Sequence, residues 1–222
     1  MNRKKIILLC LCLIALLSVA LLGFFYANDN VAQEEPDEYL PEEDEVLPYQ
    51  HIFETYAPLV GWDWHLLAAV CYEESRFNPL AQSYQGAQGL MQLMPQTARQ
   101  YALNDSTVWI PAENIRAGAE YISRLQQVYS FISDSTEQMH FVLASYNAGP
   151  AHIMDARRLA KRYGRSPYVW FDNTEYWLRQ LQAEPYSTDS VVFYGAFPNS
   201  EETIMYVRKV LRTAQRFKAM GN

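Results

Sequence analysis

From about Asp63 onward, apolar residues recur at three- and four-residue spacing. The pattern predicts helices nearly throughout, with no sustained alternating strand and no internal repeat. Asp63 stands as the N-cap of a helix over 64–75, which Asn78-Pro79 brings to an end. Projected at about 100° per residue, Leu66, Leu67, Val70 and Cys71 form one apolar face. Glu74 continues that face one turn beyond Val70, whereas Glu73 projects roughly 90° away, nearer the edge. Gly86 to Gly89 reads as a tight loop, and Pro95 as the first turn of a helix toward Tyr101. Another helix opens at Pro111 and runs to about Tyr129, with Ile115, Ala119, Ile122 and Leu125 on one side. Helices over 136–147, 151–163 and 176–181 follow, the first two closed near Gly149 and Gly164. The stretch 184–197 is aromatic-rich and irregular, with room for a short extended piece. A last helix over 201–218 places Val207, Val210, Leu211, Ala214 and Phe217 at core spacing, so the fold class is mainly α.

The N-terminal quarter is patterned differently. Residues 6–27 are apolar and uncharged behind Arg3, Lys4 and Lys5, long enough as a helix, at roughly 33 Å, to cross a bilayer. The length and the bulky Phe25 favour an uncleaved membrane anchor over a cleaved signal segment, for which Ser18-Val19-Ala20 is the alternative processing site. The preceding basic residues orient the rest of the chain outside the cytoplasm. Cys10 and Cys12 lie within the run, but Leu8-Leu9 lacks the small residue of a lipid-attachment site, so lipid anchoring is the less favoured route. Residues 28–48 hold nine acidic residues, no basic one, and Pro36, Pro41 and Pro48; this composition predicts a disordered, self-repelling linker. The organisation expected is therefore an anchor or signal segment over 1–27, a linker over 28–48 and one folded domain over 49–222.

Charge and cysteine content narrow the chemistry. The net charge of −7 belongs to the linker, because from Tyr49 onward fifteen Lys and Arg face sixteen Asp and Glu. Basic residues are dispersed, which excludes a nucleic-acid footprint. Cys71 is the one cysteine of the folded part, so no internal disulfide is expected. His51, His65, His140 and His152 lack metal-ligand spacing, and no Ser-His-Asp, P-loop or Cys-x-x-Cys pattern occurs; neither metal nor cofactor is inferred. Taken alone, Glu74 reads as a solvated glutamate at a helix end, and its place on the apolar face is what sets it apart from Glu73. A carboxyl held against apolar surface is disfavoured as an anion, and the raised pKa suits it to donate a proton near neutrality.

The run Glu74-Ser75-Arg76-Phe77-Asn78-Pro79, Ser83 nine residues after Glu74, and Gly86-Ala87-Gln88-Gly89-Leu90-Met91-Gln92-Leu93-Met94-Pro95 resemble the signature of the family 1 lytic transglycosylases, the lysozyme-like domains related to goose-type lysozyme. Ala144-Ser145-Tyr146-Asn147-Ala148-Gly149 resembles the family's A-Y-N-A-G motif, and Glu202-Thr203-Ile204-Met205-Tyr206-Val207 its E-T-x-x-Y-V segment. Asp155 to Ala160 and Trp170 to Asn173 look most like the F subfamily of membrane-bound members, over roughly Tyr56 to Phe217. The likeness extends to the catalytic module and not to the solute-binding-like domain that usually precedes it, so ligand-controlled activity is not carried over. Glu73 stands where that subfamily commonly has glutamine.

The resemblance implies a peptidoglycan-cleaving enzyme in which Glu74 alone serves as acid and base. The MurNAc C6 hydroxyl closes on C1 to leave a 1,6-anhydro end, without water. It further implies Ser83 near the acid and the substrate acetamido group, Gln92 as a hydrogen-bonding cleft residue, Met91 and Met94 as apolar wall, and Tyr146 facing the acid. Asn147 would shape the turn, Glu202 would lie at the rim, and Tyr206 would hydrogen-bond near Glu74. Plainer alternatives stand beside each: a loop serine, core methionines, a helix C-terminus at Asn147, and a helix-dipole charge at Glu202. A lysozyme-type hydrolase in which Asp63, Glu73 or another carboxylate positions water, or a non-catalytic wall-binding protein, are the rival functions. The expected partners are glycan strands and, through 1–27, the membrane; the expected state is a monomer at the periplasmic face.

Overall fold

The computed structural model describes residues 47–220. The expected membrane segment over 1–27 and the linker as far as residue 46 lie outside the described residues. Among the described residues no helix is long and apolar enough to cross a membrane. The helices are α1 (Gln50–Val60), α2 (Trp64–Ser75), α3 (Pro95–Gln100), α4 (Pro111–Val128), α5 (Ser135–Ala148), α6 (Pro150–Arg162), α7 (Glu175–Gln180) and α8 (Ser200–Met220). No named strand occurs among the described residues; two isolated bridges, Gln82 with Gln88 and Gln88 with Leu93, tie the loop after α2.

Helix α2 is the centre of the fold. Asp63 caps it as expected, its carboxylate accepting the His65 backbone N–H at 3.0 Å. The single apolar face read from the sequence is too narrow: Leu67, Ala68, Ala69, Val70 and Cys71 are all fully buried, because the small Ala68 and Ala69 let neighbouring helices close on the second side. Those neighbours are chiefly α8 and α1, while α5 packs on α6 and α8, and α1 on α4. On α8, Val207, Val210 and Phe217 are buried as expected, joined by Ile204, Tyr206 and Thr213; Leu211 and Ala214 lie partly exposed at the edge.

Past Ser75 the backbone turns through two consecutive left-handed residues, Arg76 (φ 52°) and Phe77 (φ 61°), each an unfavourable conformation for a residue with a side chain. Packing over-determines the turn. The Phe77 ring sits 6.1 Å from Phe53, 5.4 Å from Tyr72 and 6.0 Å from Phe217, and the Arg76 guanidinium lies 4.3 Å above the Tyr72 ring. The chain is thereby reversed directly after Glu74, leaving that residue at the end of a buried helix where a cleft can reach it.

The stretch 184–197 contains a short 3₁₀ turn, Tyr186–Thr188, rather than an extended piece. Its backbone groups bond to the α6 side chains Asp155 and Arg158 and to the Leu181 carbonyl just past α7 instead of to a neighbouring strand.

Candidate active site

Glu74 lies in the last turn of α2 and lines a cavity of about 490 Å³ together with Ser83, Gln85, Ala87, Gln92, Met94, Tyr146, Asn147, Ala148, Phe197, Asn199, Glu202 and Thr203. A second, smaller cavity of about 370 Å³ adjoins it, sharing Glu74, Asn147 and Glu202 and adding Tyr206 and Met205. Five segments converge: the end of α2, the loop 78–94, the end of α5, residues 197–199 ahead of α8, and the first turn of α8.

The partners of the two adjacent glutamates separate them. Glu73 receives the Arg76 guanidinium at 3.1 Å and the Thr213 hydroxyl at 2.6 Å. Its side chain is only 5% exposed, so the expectation that it lies nearer the edge is corrected: both carboxyls leave solvent, and neutralisation distinguishes them. Glu74 accepts a hydrogen bond from the Tyr206 hydroxyl at 2.7 Å. Burial pushes its pKa from 4.5 up to about 7, against the Tyr206 hydrogen bond, which lowers it, and with help from the Glu73 charge, which raises it. At neutral pH the group is thus close to half protonated, able both to give and to take a proton.

The two tyrosines around it keep their protons. Burial and the Glu74 charge hold Tyr146 and Tyr206 well above the ordinary phenol value. Tyr146 donates to the Met91 carbonyl at 2.7 Å, so its ring borders the cavity while its hydroxyl fastens the loop. Burial likewise raises the Cys71 thiol, which leaves it without thiolate character.

Loop 78–94 is built from its glycines and one buried amide. Gly89 has φ 76°, and a β-carbon there would stand 2.3 Å from Asn114 Nδ2 and 2.7 Å from the Val108 carbonyl. Asn114 accepts from the Met91 N–H at 2.7 Å and donates to the Val108 and Gln88 carbonyls at 2.8 and 3.3 Å. Ser83 accepts from the Ala87 N–H at 3.0 Å, stabilising the turn at the cavity mouth. Gln92 lines the cavity, but its side-chain N–H groups are spent on the Ala81 and Gly89 carbonyls at 3.0 and 2.9 Å. With both N–H groups so engaged, the amide oxygen is the part of Gln92 with no hydrogen bond among the described residues. The two methionines divide. Met91 is fully buried against Gly118 as core filler, and Met94 is 45% exposed on the cavity wall. Asn147 does more than end α5, since its side-chain oxygen accepts from Thr203 at 2.8 Å and joins the α5 end to α8. Glu202 is exposed on the rim.

The expected residues Ser83, Gln92, Met94, Tyr146, Asn147 and Glu202 thus share one cavity with Glu74, and Tyr206 holds the acid from behind. Sequence reasoning missed Asn114, whose pairing with residues far along the chain leaves no local signal. It also missed Phe197 and Asn199, which lie in the stretch without periodicity. Among the described residues, no cluster of His, Cys, Asp and Glu is placed to hold a metal ion.

A helical domain whose cavity is lined by a buried, protonatable glutamate is matched by known proteins. Residues 53–169 fit the family model described as the transglycosylase SLT domain, more than half of the chain. The chain belongs to that family. Membrane-bound lytic murein transglycosylase F of Aeromonas salmonicida is 41% identical over 138 residues, covering 62% of this chain and 27% of that one. The protein of the same name from Desulfosudis oleivorans is 36% identical over 163 residues, covering 73% of this chain and 35% of that one. The chain therefore spans about a third or less of these relatives. The 70-kDa soluble lytic transglycosylase solved with bulgecin A superposes with a TM-score of 0.51 at 24% identity, over 79% of this chain and 25% of that one, a likeness of fold. The family match stops before α8, so Glu202 and Tyr206 lie beyond it.

Proposed function

We propose that the protein is a peptidoglycan lytic transglycosylase in which Glu74 is the single acid and base. The protonated carboxyl gives its proton to the glycosidic oxygen as the bond to the MurNAc anomeric carbon breaks. The 2-acetamido oxygen of the same sugar supports the positive charge at C1. The C6 hydroxyl then forms the new bond to C1, and its proton passes to the Glu74 carboxylate, which restores the starting state. One bond breaks, one forms, and no water enters.

The observation that carries this is the Glu74 environment: a buried carboxyl that accepts from the neutral Tyr206 hydroxyl and is poised at about pH 7 in a cavity sized for sugar rings. The names of the relatives agree with the substrate class. Of the carboxylates offered for hydrolysis, Asp63 sits at the far end of α2, about 16 Å away along the axis, and Glu73 is tied to Arg76 and Thr213. Glu202 favours the alternative reading, a lysozyme-type hydrolase, because it is a second carboxylate lining the same cavity. We further propose that Ser83, Gln92, Met94, Tyr146, Asn147 and Glu202 contact the glycan. The domain over 49–222 would act at the periplasmic face as a monomer, held by the 1–27 anchor through the acidic linker.

Glu74→Gln tests the assignment. It should abolish lysis of isolated wall while retaining sedimentation with it; unchanged lysis would remove Glu74 from its role, and a wild-type chain that binds wall without lysing it would leave a binding protein.

A further inference from the structure

One stripe of α6 faces the irregular stretch that precedes α8. His152, Asp155 and Arg158 succeed one another at three-residue spacing, which places them on one side of the helix. Asp155 is fully buried, accepts the Phe193 and Tyr194 backbone N–H groups at 2.9 and 2.8 Å, and is paired with Arg158. Arg158 also donates to the Val191 carbonyl at 2.9 Å and lies 4.2 Å above the Phe193 ring. His152 stacks on Phe197 with ring centres 4.6 Å apart and planes at 16°. Beyond it, the Phe197 N–H donates to the Leu181 carbonyl at 2.8 Å. A segment with no regular structure is thus pinned at several points, and it brings Phe197 and Asn199 to the wall of the large cavity.

A buried carboxylate is costly unless it is paired and fully hydrogen-bonded, and Asp155 meets that condition by fixing this loop. With one face of the Phe197 ring covered by His152, the ring can offer its other face to the cavity. Pyranose rings carry an apolar C–H face beside their hydroxyls, and an aromatic face among polar groups suits such a ligand. Taking the cavity as the glycan site proposed above, we propose that Phe197 is a sugar-stacking platform in the cleft wall and that Asp155 is its positioning residue.

The test uses the full chain carrying Glu74→Gln, so that bound glycan is not cleaved, and a β-1,4-linked N-acetylglucosamine hexamer as probe in calorimetry. Phe197→Leu, which keeps apolar bulk and removes the aromatic face, should weaken binding roughly three- to tenfold, and Phe197→Tyr should restore it. In the chain with Glu74 intact, Asp155→Ala should raise KM on isolated glycan strands with kcat little changed, and Asp155→Asn, which keeps one acceptor oxygen, should fall between. Equal hexamer affinity for Phe197→Leu and its parent overturns the platform while leaving the glycan site standing. A parent that binds no hexamer overturns both. Asp155→Ala lowering kcat with KM unchanged overturns the positioning role.

Discussion

The Tyr206 hydroxyl and the Glu74 carboxyl, 132 residues apart in the chain, meet at 2.7 Å and join the last turn of α2 to α8. The bond favours the ionised carboxylate and restrains the rise that burial imposes. Tyr206→Phe should therefore move the basic limb of the pH–rate profile upward from about pH 7 and lower activity by about tenfold, as expected for losing one hydrogen bond to a charged group. A limb that stays in place would show that Tyr206 does not tune the acid.

Glu73 acts on the same group in the opposite sense, since its negative charge raises the Glu74 pKa. Glu73→Gln removes the charge and still offers Thr213 an acceptor. The basic limb should move down by a fraction of a pH unit, measurable in kcat/KM profiles on soluble glycan strands.

Glu74 itself should cost stability at neutral pH. Folded, the carboxyl holds its proton to about pH 7, against an ordinary value of 4.5, so between those values the native chain binds a proton that the unfolded chain lacks. Its contribution is complete below pH 4.5 and is lost as pH rises through 7. Glu74→Gln should accordingly be more stable than wild type above pH 7 by order 1–3 kcal/mol, with the gap closing toward pH 4.5, as read from urea unfolding at several pH values.

Gly89 and Asn114 hold the loop that shapes the cleft. Gly89→Ala must adopt φ 76° and displace the Asn114 amide, and a cost of order 2–4 kcal/mol follows from strain and overpacking. Asn114→Ala leaves the Met91 N–H without its acceptor at about 1–3 kcal/mol. Both losses should appear in denaturant midpoints.

Most helices were legible because their caps and stops are local: Asp63 before α2, Pro95 and Pro111 at the starts of α3 and α4, Gly149 after α5. The motif residues around Glu74 were legible by resemblance. Three features were not. The all-round burial of α2 depends on which helices meet Ala68 and Ala69, and a single-helix projection cannot contain that. The orientation of the Gln92 amide is decided by carbonyls in a loop with three positive-φ residues, Gly86, Gly89 and Gln92. The segment that carries Phe197 is tied to His152 and, through Phe193 and Tyr194, to Asp155, some forty residues earlier, and no local pattern announces those contacts.

The central claim is that one carboxyl cleaves glycan without water, and the mass of the new reducing-side end tests it most directly. Digestion of isolated peptidoglycan in ¹⁸O-enriched water, followed by mass spectrometry of the released muropeptides, should give 1,6-anhydro ends free of the label. Ends heavier by one water and carrying ¹⁸O would contradict the account and return Glu202 as the second carboxylate of a hydrolase.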